Sequence, residues 1–399
     1  MYFCSLIMKK RVVVGLSGGV DSSVTAHLLI QEGYEVIGLF MRNWHDESVT
    51  LSDDCPWIDD SNDALLVAQH LNIPFQVIDL SEEYKIRIVD YMFSEYESGR
   101  TPNPDVLCNR EIKFDVFLKA ALELGANFVA TGHYCRKETD ENGIHKLLAG
   151  VDETKDQSYF LCQLNQAQLS KALFPIGCLQ KSQVRQIAKE AGLITADKKD
   201  SQGLCFVGKI SLPEFLQQQL KIKEGPVVEI PSDLPQLVDY HLIPVEIDNV
   251  EELSTPFMFK TSEGTQVATH QGAHFYTIGQ RKGLHIGGRP LPSFVIGIDT
   301  LENVVYSGQS ENHLGLNKWA LKINTSDFHY VNPLLKIELN KPLKIKTRIR
   351  YRQQLQDAFL VQKESGYYVL FDSLQRGITP GQFAAFYLND ELVASGVIS

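Results

Sequence analysis

The heptad SGGVDSS at residues 17–23 follows the apolar run RVVVGL and leads into the helix-like VTAHLLIQEG. Glycine N–H groups can close on an anion, serine hydroxyls donate further hydrogen bonds, and a helix N-terminus adds positive potential. The chemistry offered is phosphate binding. The heptad lacks the lysine of the G-x-x-x-x-G-K-[ST] loop. Asp21 would repel phosphate unaided, so it is expected to hold a magnesium ion that bridges phosphate oxygens. An ordinary Gly/Ser turn is the alternative reading, and the strand-to-helix context argues against it.

Cysteine is the second chemical element. Cys4, Cys55, Cys108, Cys135, Cys162, Cys178 and Cys205 include no C-x-x-C pair, which argues against a structural zinc site. In a cytosolic chain most cysteines are reduced, buried and small, and five of these are read that way. Cys108 differs. It lies in GRTPNPDVLCNREIKF (99–114), where two prolines flank Asn103 and stiffen the run before Asp105 and Cys108. That run reads as a loop-to-helix junction, and a helix N-terminus favours a thiolate. Cys205 lies in KKDSQGLCFVG (198–208), a glycine-marked segment beside cations. Either cysteine alone reads as structural; together, in a chain with a phosphate loop, they read as a chemical pair.

The third element is KPLKIKTRIRYRQ (341–353), with Lys344, Lys346, Arg348, Arg350 and Arg352 at period two. On one strand all five share a face, with Ile345 and Ile349 turned to the core. Five like charges repel unless phosphates neutralise them. The chain's net charge is −11, so this ladder is its clearest nucleic-acid footprint.

The elements that must position these residues change character along the chain. The 399 residues, 44% apolar and 22% charged, fit two or three globular domains. No run of about eighteen apolar residues appears, and the opening MYFCSLIMKKR reverses the order of a signal peptide. No membrane association is expected. RVVVGL, YEVIGLFM, PFQVIDL and NFVATG read as strands alternating with helices, the rhythm of a parallel sheet with ligands at the strands' carboxyl ends. The acidic, Pro-rich stretch within 225–275 shows no helical period and reads as a surface excursion. From about 294 short alternating segments predict an antiparallel barrel. The expected domains are residues 1–210, 211–293 and 294–399.

SGGVDSS resembles the PP-loop of the ATP pyrophosphatases, which cleave ATP between the α and β phosphates and adenylate an acceptor oxygen. Pyrophosphate would then be held by backbone and serine, with no need of a γ-directed lysine. The 99–114 and 198–208 segments, with ATGHY (130–134), KDQSYFL (155–161) and TIGQRKGLHIGG (277–288), resemble the bacterial tRNA-specific 2-thiouridylases, the MnmA family. The likeness runs from about Val12 to the C-terminus. It implies a cytoplasmic tRNA-uridine 2-sulfurtransferase with an N-terminal PP-loop α/β domain, a small central domain and a C-terminal β-barrel. Such an enzyme adenylates the C2 oxygen of the wobble uridine in tRNAs for lysine, glutamate and glutamine, then replaces that oxygen with sulfur.

The resemblance also implies roles. Cys205 would take a persulfide from a sulfur-relay protein or cysteine desulfurase. Cys108 would attack it, releasing sulfide or leaving a Cys108–Cys205 disulfide, and Asp105 would act as general acid/base. Gly15, Leu16, Ser17, Gly18, Gly19, Val20, Asp21, Ser22, Met41 and Gly132 would bind ATP with magnesium. Asn103, Pro104 and Asp105 would contact the target base. Lys155, Asp156, Gln157, Arg350 and Tyr351 would contact tRNA. His133 is read as structural or nucleotide-adjacent rather than as a base. A PP-loop synthetase acting on a small metabolite would need neither cysteine nor ladder, and a non-catalytic RNA-binding protein would not need an intact loop.

Overall fold

The computed structural model describes residues 9–43, 56–199, 212–217 and 219–399. These form two compact units. One is drawn from the stretches Met1–Val89, Pro104–Ile210 and Asp390–Leu392, the other from Asp90–Asn103, Ser211–Asn389 and Val393–Ser399.

The first unit is built on β1 (Arg11–Gly15), β2 (Glu35–Arg42), β3 (Phe75–Asp79), β4 (Phe128–Ala130) and a short β7 (Ala172–Leu173), in the order β3-β2-β1-β4-β7. Every pairing is parallel. The unbroken valines of β1 follow from that, since a central parallel strand is covered on both faces. Helices α1 (Val20–Gln31) and α2 (Pro56–His70) contribute Ala26, Leu29, Ala64 and Ala68 to a core with Val12, Val14 and Phe40. After β3 the chain returns to the other side of β1, so the order reverses between β1 and β4. A crevice opens outside the carboxyl ends of strands at such a point. A hairpin of β5 (Cys135–Thr139) and β6 (His145–Ala149) follows β4.

The second unit holds two sheets. β8 (Gly225–Glu229), β9 (Thr265–His270), β10 (Ser293–Asp299) and β11 (Val304–Gln309) form one, in the order β10-β11-β8-β9. The barrel comprises β12 (Asn317–Tyr330), β13 (Leu343–Arg348), β14 (Gln356–Lys363), β15 (Gly366–Arg376), β16 (Phe383–Leu388) and β17 (Glu391–Ile398). Pairing of β12 with β17, Ile323 against Ile398, closes it. Ile345, Leu360, Val369, Phe371 and Phe386 fill its interior.

Two expectations are corrected here. The strands near 294–309 belong to the four-stranded sheet, and the barrel starts at Asn317. Alternation alone does not say which sheet a strand joins. The acidic stretch is not a surface excursion. It contains helices Pro235–Leu242 and Val250–Ser254, whose Tyr240, Val250 and Leu253 pack on Ala320, Tyr368 and Leu370. Asp233, Asp239, Asp248, Glu251 and Glu252 are exposed, and its helices are too short to show a period.

Candidate functional site

The heptad bridges β1 and α1 at the reversal point. Gly18 has φ +71°, and a Cβ there would overlap the carbonyl of Asp60 in α2. Only glycine therefore lets the loop lie this close to α2. Ser22 Oγ accepts from Ser17 N at 3.1 Å, lies 3.2 Å from Ser17 Oγ and donates to Gly19 O. These bonds shape the loop before any ligand is considered. Gly15, Met41 and Gly132 come together with it. A Cβ on Gly15 would lie 3.5 Å from Met41 Cε, and one on Gly132 would lie 2.8–2.9 Å from the backbone of Asp21 and Ser22. The segments expected to bind nucleotide thus converge at the carboxyl ends of β1, β2 and β4.

Asp21 sits in the first turn of α1. Lys181 Nζ donates to both of its carboxylate oxygens at 2.8 Å, and Tyr134 OH donates to Oδ1 at 2.7 Å. Lys181 opens the helix Lys181–Glu190, 160 residues away in sequence. No local pattern signals such a partner. Among the described residues no group of three His, Cys, Asp or Glu side chains could hold a metal. His133 is buried, 2.7 Å from Thr131 Oγ1 and set against Phe114 and Phe174. Burial, aided by Lys113, holds its pKa well below the usual histidine range. It is a neutral ring at pH 7, in keeping with a structural role.

The segment leading toward residue 205 is fastened to the same loop. Thr195 Oγ1 donates to Ser23 Oγ of α1 at 3.0 Å. Lys198 Nζ donates to Asp60 at 2.7 Å and also pairs with Asp63. Burial lowers the Lys198 pKa, but the two carboxylates outweigh it and raise it. Cys205 itself lies outside the described residues, as do Cys4 and Cys55.

Cys108 is placed differently from the sequence expectation. The helix opens at Pro104, a residue suited to a first turn. Cys108 is therefore a full turn inside, fully buried, at the start of the π-helical stretch Cys108–Val116. The helix-end argument for its thiolate does not hold; π-helical turns do recur at functional sites. Asp105 lies in the first turn. Asn109, missed in the sequence, ties this helix to the KDQSYFL segment: its Nδ2 donates to Asp105 O at 3.0 Å and to Phe160 O at 3.1 Å.

Within KDQSYFL the roles separate. Asp156 is buried and accepts from Gly150 N, Ser158 N and Ser158 Oγ, so it shapes the turn. Gln157 Oε1 accepts from Tyr134 N, and Lys155 is half-buried. Asn103 belongs to the second unit. There Gln382 accepts from Asn103 Nδ2 at 3.4 Å and donates to the carbonyls of Thr101 and Pro102 at 2.9 and 3.1 Å. Of the other cysteines, Cys135 is buried, and burial with Asp156 nearby pushes its thiol pKa well up.

The five-charge ladder is corrected. The strand ends at Arg348, which is only 8% exposed and lies over the Tyr387 ring. Lys346 pairs with Asp357 at 3.1 Å. Past the strand Arg350 donates to the carbonyls of Arg376 and Gly377, and Arg352 has φ +64°. Lys344 and Lys346 alone keep the expected exposed alternation.

A parallel sheet with a lysine-free Gly/Ser loop feeding a helix at its reversal point defines an α/β nucleotide-binding domain. In agreement, residues 10–209 match the tRNA methyl transferase HUP domain family, 254–309 the tRNA methyl transferase PRC-barrel domain and 321–398 the aminomethyltransferase beta-barrel domain. The tRNA-specific 2-thiouridylase MnmA of Christiangramia forsetii is 62% identical over 98% of this chain and 100% of its own. Those of Flavobacterium johnsoniae and Karelsulcia muelleri are 60% and 44% identical over the same shares. The chain belongs to the tRNA-specific 2-thiouridylase MnmA family.

Proposed function

We propose that this protein is an ATP-dependent tRNA-uridine 2-sulfurtransferase that acts on the wobble uridine of tRNAs for lysine, glutamate and glutamine in the cytoplasm. The observation that carries the reading is the convergence of Gly15, Met41, Gly132 and the SGGVDSS loop at the sheet's reversal point, in a chain that matches MnmA relatives from end to end. ATP supplies the adenylyl group that activates the C2 oxygen. The loop's N–H groups and serines hold the pyrophosphate part, and Asp105 handles the proton at the base. Cys205 carries the sulfur received from a relay protein or desulfurase, and Cys108 releases it. Arg350 and Tyr351 contact the tRNA, as do Lys155 and Gln157. Magnesium accompanying the nucleotide would rest chiefly on phosphate oxygens and water. Asp21 is the carboxylate at hand, provided Lys181 gives it up.

Nucleoside mass spectrometry of tRNA from a strain lacking the gene tests this. 2-Thiouridine should vanish and return with the wild-type gene but not with Cys108→Ser or Cys205→Ser. In vitro both variants should still consume ATP and release pyrophosphate with tRNA for one turnover, the AMP staying on the uridine. Unchanged 2-thiouridine in the deletion strain would sink the reading.

A further inference from the structure

The loop contains an acid and no base, yet a pyrophosphate leaving group carries several negative charges. Backbone N–H groups and serines supply dipoles, and the start of α1 supplies roughly half a positive charge. Asp21 works against them. Besides the magnesium that accompanies the nucleotide, a cation from elsewhere in the fold can offset it, and among the described residues Lys181 touches the loop.

We propose that Lys181 supplies the positive charge missing from the loop, leaving Asp21 to contact the pyrophosphate part of ATP. The proposal rests on the ATP-dependent reading above. Its base is fixed: the backbone N–H of Lys181 donates to Asp152 Oδ2 at 2.9 Å. The helix it opens shares an apolar cluster with α1, in which Val184 and Ala188 pack with Val20, Val24 and Tyr134. Only the flexible stem needs to move. The side chain passes over the Tyr134 ring, with Nζ 5.6 Å from the centroid. Asp21 would not be orphaned by the exchange, because Tyr134 OH already donates to Oδ1 and the first turn of a helix favours an acid. Nor does the pair serve as the main fastening between the two helices. A partly exposed ion pair contributes little to stability, and the apolar cluster already joins them.

The test is isothermal titration with inorganic pyrophosphate on four proteins: wild type, Lys181→Met, Asp21→Asn and the double variant, with thermal melts alongside. Lys181→Met should weaken pyrophosphate binding on the order of tenfold or more with little change in melting temperature, and Lys181→Arg should keep most of the affinity. If Lys181 merely masks Asp21, the double variant should bind as Asp21→Asn does. If it contacts phosphate, the double variant should stay about as far below Asp21→Asn as Lys181→Met is below wild type. Equality of the double variant with Asp21→Asn, or unchanged binding by Lys181→Met, overturns the proposal. Failure of the wild type to bind either ATP or pyrophosphate overturns the nucleotide reading itself, and this assignment with it.

Discussion

Asn109 gives the sharpest test of how the Cys108 helix is held. It is 2% exposed, and one amide nitrogen serves two carbonyls, those of Asp105 and Phe160. Asn109→Ala deletes both bonds, at about 1 kcal/mol each, and adds a small void, for a loss of roughly 2–3 kcal/mol. Asn109→Asp keeps the volume but sets a carboxyl oxygen 3.0–3.1 Å from two carbonyl oxygens. Only the protonated form can donate, so folding raises this carboxyl's pKa above its unfolded value of about 3.9. The contribution is then fullest at low pH and is lost as pH rises toward the folded pKa. Each pH unit in that window costs about 1.4 kcal/mol. Urea unfolding at pH 5.5 and 7.5 separates the variants. The deficit of Asn109→Ala should be the same at both, and that of Asn109→Asp should grow with pH. A constant Asn109→Asp deficit, or an aspartate variant as stable as wild type at pH 7.5, would show that the amide does not face those carbonyls.

Gly18→Ala should lose about 1–2 kcal/mol from its left-handed backbone alone, and more from the overlap with Asp60. Gly19→Ala, whose Cβ meets only Ser17 Oγ at 3.5 Å, should melt near wild type; equal melting temperatures would refute the packing argument. Burial pulls Lys318 down to about 7, so the unfolded chain binds more protons above that pH and stability should rise from pH 7 to 9. Lys318→Met should flatten the rise in paired urea titrations. Arg350→Gln should lower the slope of log K for tRNA against log salt by roughly 0.7–0.9. Buried Arg348→Gln should lower the melting temperature and leave that slope alone. Tyr351→Ala should cost on the order of 1–3 kcal/mol of affinity if a base stacks there, with little change in slope.

Local pattern made some of this legible. The valine run of β1 announces a strand covered on both faces, and the heptad between it and α1 announces an anion loop. What escaped depends on distance or on a single residue's backbone. Lys181 reaches Asp21 from 160 positions away. The charge ladder assumes a strand to Arg352, whereas Ile349 N donates to Gln353 Oε1 in a turn that ends the period. Cys108 looked terminal because Pro102 and Pro104 both suggest loop, yet the second of them starts the helix. Strands near 294–309 carry the same alternation as barrel strands, and only the pairing of β11 with β8 assigns them.

The tie between Gln382 and the Thr101–Asn103 segment has a consequence for biosynthesis. The donor side chain is encoded 281 residues after the Thr101 carbonyl it serves. At roughly 5–20 residues per second, the ribosome delivers it about 15–55 s later. Through that interval the Asp90–Asn103 stretch has left the exit tunnel without the part of its unit that holds it. Its other partners come earlier: Phe215, which stacks on Phe93, follows it by 122 residues, and Thr277, which bonds to Thr101, by 176. The nascent chain therefore carries an unfinished joint just ahead of Cys108 until translation is almost over. Stop codons or pauses before residue 382 should yield chains that a protease cuts between residues 90 and 103.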